Sequence, residues 1–205
     1  MKIQCGLCHL LLIAVLPLFG CASSEPFLGR VVEKSKSSAP VWVELEPWAF
    51  HYMDGRYGYV GVKRHIADLE LGIKQTWLLV SENLVRTAHR STIDKLASVN
   101  KESFREHRRQ LEDMIFKHLG KISKDLILAD LYFKRSEQKG YGAEAPHLEA
   151  TVYVFVSIRE GVFREAINDL VVELKSSHLS EIANFAASLE GYRLNNSSNM
   201  LGPVN

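Results

Sequence analysis

One stretch, LEATVYVFVSIR at residues 148–159, constrains the fold of this chain more than any other. Valines, an isoleucine and aromatic residues alternate in it with period two, which is typical of a strand with one buried face. Alternate residues point to opposite faces of such a strand: Ala150, Val152, Val154, Val156 and Ile158 to one, and Thr151, Tyr153, Phe155 and Ser157 to the other. The chain must therefore form a sheet whose apolar face is covered by other elements.

A second strand is predicted in DLILADLYFKR, residues 125–135. The polar segment SEQKGYGAEAPH, residues 136–147, joins the two strands and is too short for the helical crossover that a parallel pair needs. We therefore predict an antiparallel hairpin with a long loop. Tyr141 lies between two glycines in this loop, which makes the loop a candidate docking point, with an ordinary exposed loop as the alternative.

Strands and helices are partly segregated along the rest of the chain. Short strands are predicted in VWVELEP at residues 41–47 and in RYGYVGV at residues 56–62. A long helix follows, because apolar residues recur at spacings of three and four: Ile66, Leu69, Ile73, Trp77, Val80, Leu84 and Ala88. A second helix is predicted at about 102–119, with Gly120 as its C-cap. Two C-terminal helices are indicated by Phe163, Ala166, Ile167, Leu170, Val171 and Leu174, and by Ile182, Phe185 and Leu189.

The apolar run LLLIAVLPLFG, residues 10–20, is about half as long as a membrane-spanning helix and is interrupted by Pro17. Lys2 precedes this run and the small residue Gly20 ends it, which is the pattern of a cleavable export signal. Residues 1–20 are therefore predicted to be a signal peptide.

The four residues LFGC at 18–21 resemble the bacterial lipobox, in which the cysteine is acylated and becomes the first residue of the mature chain. The resemblance implies a lipid anchor on Cys21, and Ala22 in place of Asp implies sorting to the outer membrane. Cys5 and Cys8 lie inside the predicted signal, so Cys21 would be the one thiol of the mature chain, and acylation would consume it. An ordinary secretory signal cut nearby is the alternative.

Polar segments flank the predicted domain. Residues 21–39 are rich in Ser, Lys and Glu, a composition typical of a flexible tether, here lipidated at its first residue. Residues 194–205, which include NNSSNMLGPVN, are predicted to be a disordered tail. Residues 40–193 between them are predicted to form one α+β domain: a small antiparallel sheet of about three strands packed against a long helix, with additional C-terminal helices.

Charge and motifs argue against several functions. Cleavage would remove Lys2, so 25 Lys and Arg would become 24, equal to the 24 Asp and Glu, and a neutral chain is not suited to bind nucleic acid by charge. No G-x-S-x-G elbow occurs, and no glycine-rich loop joins a strand to a helix. No two of the remaining histidines are three or four residues apart, as a local metal pair would be: His51, His65, His89, His107, His118, His147 and His178. No catalytic residue, metal or cofactor is predicted.

Four aromatic residues form one candidate site. Trp42, Trp48, Tyr57 and Tyr59 are close in sequence and their faces could line a sugar or peptide groove, with core and edge packing as the alternative.

Charged residues suggest two further sites, each with a plainer interpretation. Glu44 and Glu46 share a face of a predicted strand and could form a carboxylate pair for glycan cleavage, with exposed strand carboxylates as the interpretation that we favour. In KESFREHRRQLED, Arg108 and Glu112 have i,i+4 spacing, as do Arg109 and Asp113. This spacing predicts a solvated helix face rather than an anion site.

The lipobox and polar tether, followed by PVWVELEPW and YGYVGV, resemble the opening of the LPP20 family of bacterial lipoproteins. DLYFKR and VYVFVSIREGVFREAINDL resemble that family's closing hairpin and helix. The resemblance implies a small α+β domain anchored in the envelope, with relatives linked to flagellar motor assembly, and it brings no catalytic residues. We therefore expect a non-enzymatic lipoprotein of the bacterial outer membrane, on its periplasmic side or at the cell surface, that acts as a structural or assembly factor through envelope proteins. A peptidoglycan-associated binding module or regulator of cell-wall synthesis is the alternative.

Overall fold

A computed structural model describes residues 30–138 and 147–194 of the chain. They contain a five-stranded antiparallel sheet with the strand order β1-β4-β5-β3-β2. The strands are β1 (Arg30–Lys34), β2 (Phe50–Met53), β3 (Arg56–Ile66), β4 (Ile127–Gln138) and β5 (His147–Arg159). The helices are α1 (Leu69–Val99), α2 (Lys101–Glu106), α3 (Arg108–Leu119), α4 (Glu160–Lys175), α5 (Ser180–Ala183) and α6 (Ala186–Leu189). The predicted α+β class is confirmed, but the sheet has five strands rather than about three.

The central strand β5 follows the predicted alternation. The residues of its apolar face are each at most 1% exposed: Ala150, Val152, Val154, Val156 and Ile158. β4 pairs with β5 antiparallel, from Ile127 opposite Ser157 to Gln138 opposite His147, which confirms the predicted hairpin. We call the face formed by the five buried residues the inner face of the sheet, and the opposite one the outer face.

The two additional strands lie at the edges of the sheet. All five residues of β1 are exposed, so its sequence carries no alternation that would have predicted it. β1 pairs with β4 and falls within the predicted tether, so a flexible tether does not describe these five residues, whereas residues 21–29 lie outside the described part. β2 is joined to β3 by Asp54 and Gly55, both with positive φ, which is the two-residue turn that favours a tight hairpin.

Residues 35–49, which we call the crossing segment, run from one edge of the sheet to the other over its outer face. VWVELEP in this segment is predicted to be a strand, but Val41–Glu44 form a 3-10 helix, so that prediction is wrong. A strand is disfavoured here because Pro40 and Pro47, at either end of the segment, lack the N–H groups that a paired strand needs. Trp42 packs the segment against the outer face by stacking on Phe155, with ring centroids 5.6 Å apart.

Asp130, on the outer face, binds two side chains of the crossing segment. The indole N–H of Trp42 donates to Asp130 at 2.8 Å, and the Lys36 ammonium lies 2.5 Å from the same carboxylate. Burial opposes ionisation of Asp130, but these hydrogen bonds outweigh burial and lower the pKa of its carboxyl. The segment is therefore part of the folded domain.

The predicted long helix is confirmed as α1, which covers the inner face. Its fully buried residues recur every fourth position: Gly72, Thr76, Val80, Leu84, Ala88, Thr92 and Leu96. A spacing of four drifts by about 40° per step in an α-helix, so the buried line winds around the helix axis. The first half of α1 therefore packs on the sheet, with Val80 against Gly61. The second half contacts α2, α3 and α6, and Ser91 bonds to Tyr192, three residues after α6, at 2.7 Å.

Residues 102–119 form two helices rather than the predicted single one. The helix is interrupted at His107, whose φ of −105° and ψ of 15° lie outside the helical range. Asn100 caps the first helix, α2, by accepting from two backbone N–H groups at 3.1 and 3.0 Å. Gly120 follows α3 as predicted, with right-handed backbone, and continues into the 3-10 helix Gly120–Asp125.

The C-terminal helices complete the core. α4 buries the predicted stripe of Phe163, Ala166, Ile167, Leu170, Val171 and Leu174. Ile182, Phe185 and Leu189 from the short helical segments are also buried, and so is Leu194, the first residue of the predicted tail. Residues 195–205 of that tail lie outside the described part. None of the described helices is long and apolar enough to cross a membrane.

Candidate functional site

The predicted lipidation site, Cys21, lies outside the residues that the structure describes. The same is true of Tyr141 and the middle of the predicted docking loop, of which only residues 136–138 and 147 are described, as the ends of β4 and β5. These two predictions therefore stay predictions.

The predicted aromatic groove does not form, because the sheet separates its members. Trp42 lies on the outer face, whereas Trp48, Tyr57 and Tyr59 pack into the core on the inner face. Tyr57 and Tyr59 are each 2% exposed, and Trp48 meets the edge of the Tyr59 ring at 6.4 Å between centroids. Core packing, the alternative interpretation, describes these three side chains.

The predicted carboxylate pair is not on a strand. Glu44 ends the 3-10 helix, and Glu46 follows it, where its backbone carbonyl accepts from His51 Nε2 at 2.8 Å. The predicted solvated face of α3 is supported by an ion pair of 2.8 Å between Arg108 and Glu112.

Histidines lie beside carboxylates at two places. His65 and His147 flank Glu149, at 2.8 and 3.1 Å from its two oxygens. His118 is buried between α3 and α4, where its Nε2 contacts Glu173. Within residues 30–138 and 147–194, no three His, Cys, Asp or Glu side chains are arranged to hold a metal ion.

A cleft of about 250 Å³ beside the first turn of α4 combines apolar lining with convergent charges. Its apolar lining comes from Tyr57, Phe163, Ile167 and Tyr192, and its polar lining from Glu160, Arg164, Asn168 and Arg193. The Phe163 ring lies between two tyrosine rings of this lining, with its centroid 5.4 Å from that of Tyr57 and 6.4 Å from that of Tyr192. Tyr57, Phe163 and Ile167 are each at most 2% exposed, so the charged side chains form most of the accessible surface of the cleft.

Glu160 is the centre of the charges in this cleft, which we call the Glu160 cleft. β5 runs directly into α4, so Glu160 is the first helical residue, and its N–H donates to the Gly55 carbonyl at 2.9 Å. Its carboxylate accepts from the Tyr52 hydroxyl at 2.6 Å and from Arg164 at 2.5 Å, and lies 3.6 Å from Arg193. Three separate parts of the chain therefore meet at one carboxylate.

These contacts decide the protonation states in the cleft. Hydrogen bonds from Tyr52 and Arg164 lower the pKa of Glu160, and the bond to Glu160 raises the pKa of the Tyr52 phenol. Burial raises the pKa of Tyr57 and of Tyr192. Near neutral pH the carboxylate is therefore ionised and the phenols keep their protons.

The ligand chemistry that fits the cleft follows from its two arginines. Arg164 and Arg193 each expose more than half of their side chains, and together they exceed the charge of Glu160 by one. Guanidinium groups bind carboxylates and phosphates well. The cleft is therefore suited to a ligand with an acidic group.

Two larger depressions lack this combination. One of about 560 Å³ is lined by mostly polar side chains of α2, α3 and α4, including His107, Asp113 and Glu173. The other, of about 590 Å³, surrounds the Asp54 and Gly55 turn and is lined mainly by charged residues.

Sequence reasoning missed the Glu160 cleft. Tyr52, Glu160 and Arg193 lie in three segments far apart in the chain, and no local spacing links them. One local signal was present, because the dipeptide Asp54–Gly55 between the aromatic-rich segments FHYM and RYGYV predicts a hairpin and with it the position of Tyr52.

Comparison with known proteins found no family model, curated protein or solved structure that matches this chain.

Proposed function

We propose that this chain is an exported, lipid-anchored protein of the bacterial outer membrane that acts without catalysis, as a structural or assembly factor binding envelope proteins. The signal-like N-terminus and Cys21 support the location, and the LPP20-like segments support the family to which we propose to assign it. The neutral mature chain supports partners other than nucleic acid.

The observation that carries the proposal is the free edge of β1. All five residues of this strand are exposed, including Val31 and Val32, and within residues 30–138 and 147–194 only one of its two edges is paired, with β4. An unpaired strand edge binds an extended segment of another protein by main-chain hydrogen bonds. β1 also carries features that protect an edge from chance pairing, namely the charged Arg30, Glu33 and Lys34 and a register shift between Val31 and Glu33. The exposed Val31 and Val32 are therefore the residues that favour a partner strand.

Cross-linking in cells tests this proposal. A lysine at an edge strand opposes strand addition, so Val32→Lys should remove envelope proteins that cross-link to the wild-type chain. Val172→Lys, at an exposed position of α4, is the matched control and should keep them. Identical cross-linked proteins for both variants would contradict a role for the β1 edge.

The alternative, a peptidoglycan-associated binding module, is favoured by the Glu160 cleft. Peptide stems of the cell wall carry carboxylates, which the exposed Arg164 and Arg193 are suited to bind. Under this alternative the domain should sediment with purified sacculi, and Arg164→Gln should weaken that binding. Arg86→Gln makes the same charge change on α1, outside the cleft, and should have no effect.

A further inference from the structure

The first described residue, Arg30, and the first turn of α1 lie at the same end of the sheet. Arg30 pairs with Glu137, Glu137 pairs with Leu148, and Ala150 pairs with Ile66, so these residues lie at one level across the sheet. α1 begins three residues after Ile66, and its Gly72 packs against the Ile66 side chain. We call this end of the domain the Arg30 end.

The far end of α1 lies well away from the Arg30 end. α1 runs back over β3, because Val80 packs against Gly61 and Thr87 bonds to the Tyr59 hydroxyl at 3.1 Å. Its 31 residues correspond to a length of about 45 Å. Val99 therefore lies about 45 Å from the first turn of α1.

The chain between the predicted anchor and β1 is shorter than this helix. Nine peptide units join Cys21 to Arg30, and they span at most about 30 Å when fully extended. If Cys21 carries the lipid, the Arg30 end stays within about 30 Å of the membrane. The domain then cannot stand inverted on its Val99 end, because Arg30 would have to lie about 45 Å above the bilayer.

The Arg30 end also exposes aliphatic side chains. Leu71 is 52% exposed, Leu148 44% and Val31 43%. The exposed charges near them have both signs, with Arg30 and Arg64 against Asp68, Glu70 and Glu137. Contact with a bilayer would therefore rest on apolar side chains entering the headgroup region rather than on attraction to anionic lipid.

We infer that the Arg30 end faces the bilayer, with Leu71 and Leu148 in contact with its surface. This inference rests on the proposed lipid anchor at Cys21. In this orientation the Glu160 cleft, at the beginning of β3, lies about 33 Å along the sheet from the membrane-facing end. The cleft and the second half of α1 are then open to ligands and partners in solution.

Fluorescent labels on single cysteines test this orientation. The chain has three cysteines, at positions 5, 8 and 21, so an acylated, processed protein would have no other thiol to label. Leu71→Cys and Leu148→Cys place an environment-sensitive label at the Arg30 end, and Val99→Cys and Leu179→Cys place it on exposed positions elsewhere. Each purified full-length mature protein is inserted through its lipid into phosphatidylethanolamine vesicles containing a spin-labelled quencher lipid.

We expect quenching at positions 71 and 148 to exceed that at 99 and 179 at least twofold, and to change little when salt or anionic lipid is added. Equal or reversed quenching in vesicle-bound protein would overturn the orientation while leaving the anchor intact. Wild-type protein that incorporates no palmitate would overturn both the anchor and this inference. Circular dichroism of each variant shows that the fold is kept, since all four positions are exposed.

Discussion

The hydroxyl of Tyr52 donates a hydrogen bond of 2.6 Å to Glu160, although 108 residues separate the two in the chain. Together with the backbone bond from Glu160 to Gly55, it ties the hairpin of β2 and β3 to the start of α4. The same carboxylate holds Arg164 and Arg193, so one acidic residue organises both the hairpin and the Glu160 cleft.

Removing the Tyr52 hydroxyl should raise the pKa of Glu160. In Tyr52→Phe the Glu160 carboxylate loses the donor that contributes most to its lowered pKa, so that pKa should rise towards the ordinary glutamate value. A carboxyl titration followed by NMR measures the change. Tyr153→Phe, a strand tyrosine on the outer face, is the control and should leave the titration of Glu160 unaltered; an unchanged titration in both variants would argue against the hydrogen bond.

Stability should fall in acid. The pKa values of Glu149, Glu160 and Glu173 are lowered from 4.5 and that of Asp130 from 3.8 in the folded protein, chiefly by hydrogen bonds from histidine, tyrosine, lysine, arginine and tryptophan partners. A depressed folded pKa contributes stability that is complete above the unfolded value and is lost as pH falls through the folded value. The thermal midpoint should therefore hold from neutral pH to about pH 5 and then drop.

Glu173→Gln provides the control for the acid effect, because it removes one of the four carboxyls, the one held by Lys117 and His118. Its midpoint should depend less steeply on pH below about 4.5 than that of the wild type. A midpoint that stays constant down to about pH 3 in the wild type would show that these carboxylates do not stabilise the fold.

The contact between β3 and α1 predicts a sensitive glycine. A Cβ at Gly61 would lie 1.9 Å from Cγ2 of Val80, so Gly61→Ala should lower the free energy of unfolding by about 1–3 kcal/mol through overpacking. Val80→Ala should relieve part of that loss when combined with it. Gly161→Ala is the matched control, because nothing lies within 4 Å of its Cβ, and chemical denaturation should show it to be as stable as the wild type or slightly more so.

The lipid anchor has its own test. Cys21→Ser removes the thiol that the lipobox-like sequence would acylate, so the variant should take up no labelled palmitate and should partition into the soluble fraction. Ser23→Ala, two residues further on, should stay lipidated. Membrane partition of the Cys21→Ser variant would contradict the anchor.

Local patterns were sufficient for the elements that bury one face. Val152, Val154 and Val156 alternate with residues of the outer face, and Phe163, Ile167 and Leu170 follow helical spacing, because burial on one side imposes a period on the sequence. The antiparallel pairing of β4 with β5 could be predicted as well, since the connection between them is too short for a crossover.

A strand that buries neither face has no hydrophobic period in its sequence, so the sequence does not predict its position. β1 is exposed along its whole length, so its composition predicts a tether. A strand is predicted at residues 41–47 because aromatic and β-branched residues recur there with period two, but Trp42 instead packs on Phe155 of the outer face. The number of strands was therefore underestimated.

The Glu160 cleft depended entirely on long-range contacts. Tyr52, Glu160 and Arg193 belong to a hairpin, a helix start and a C-terminal segment, and each is an ordinary polar residue in its own neighbourhood. The sheet register and the packing of α4 bring them together, and packing is a property of the whole core rather than of any window of sequence. Burial pattern thus specified the strands and helices of this chain, whereas the convergence of its charges on Glu160 arose from how those elements pack.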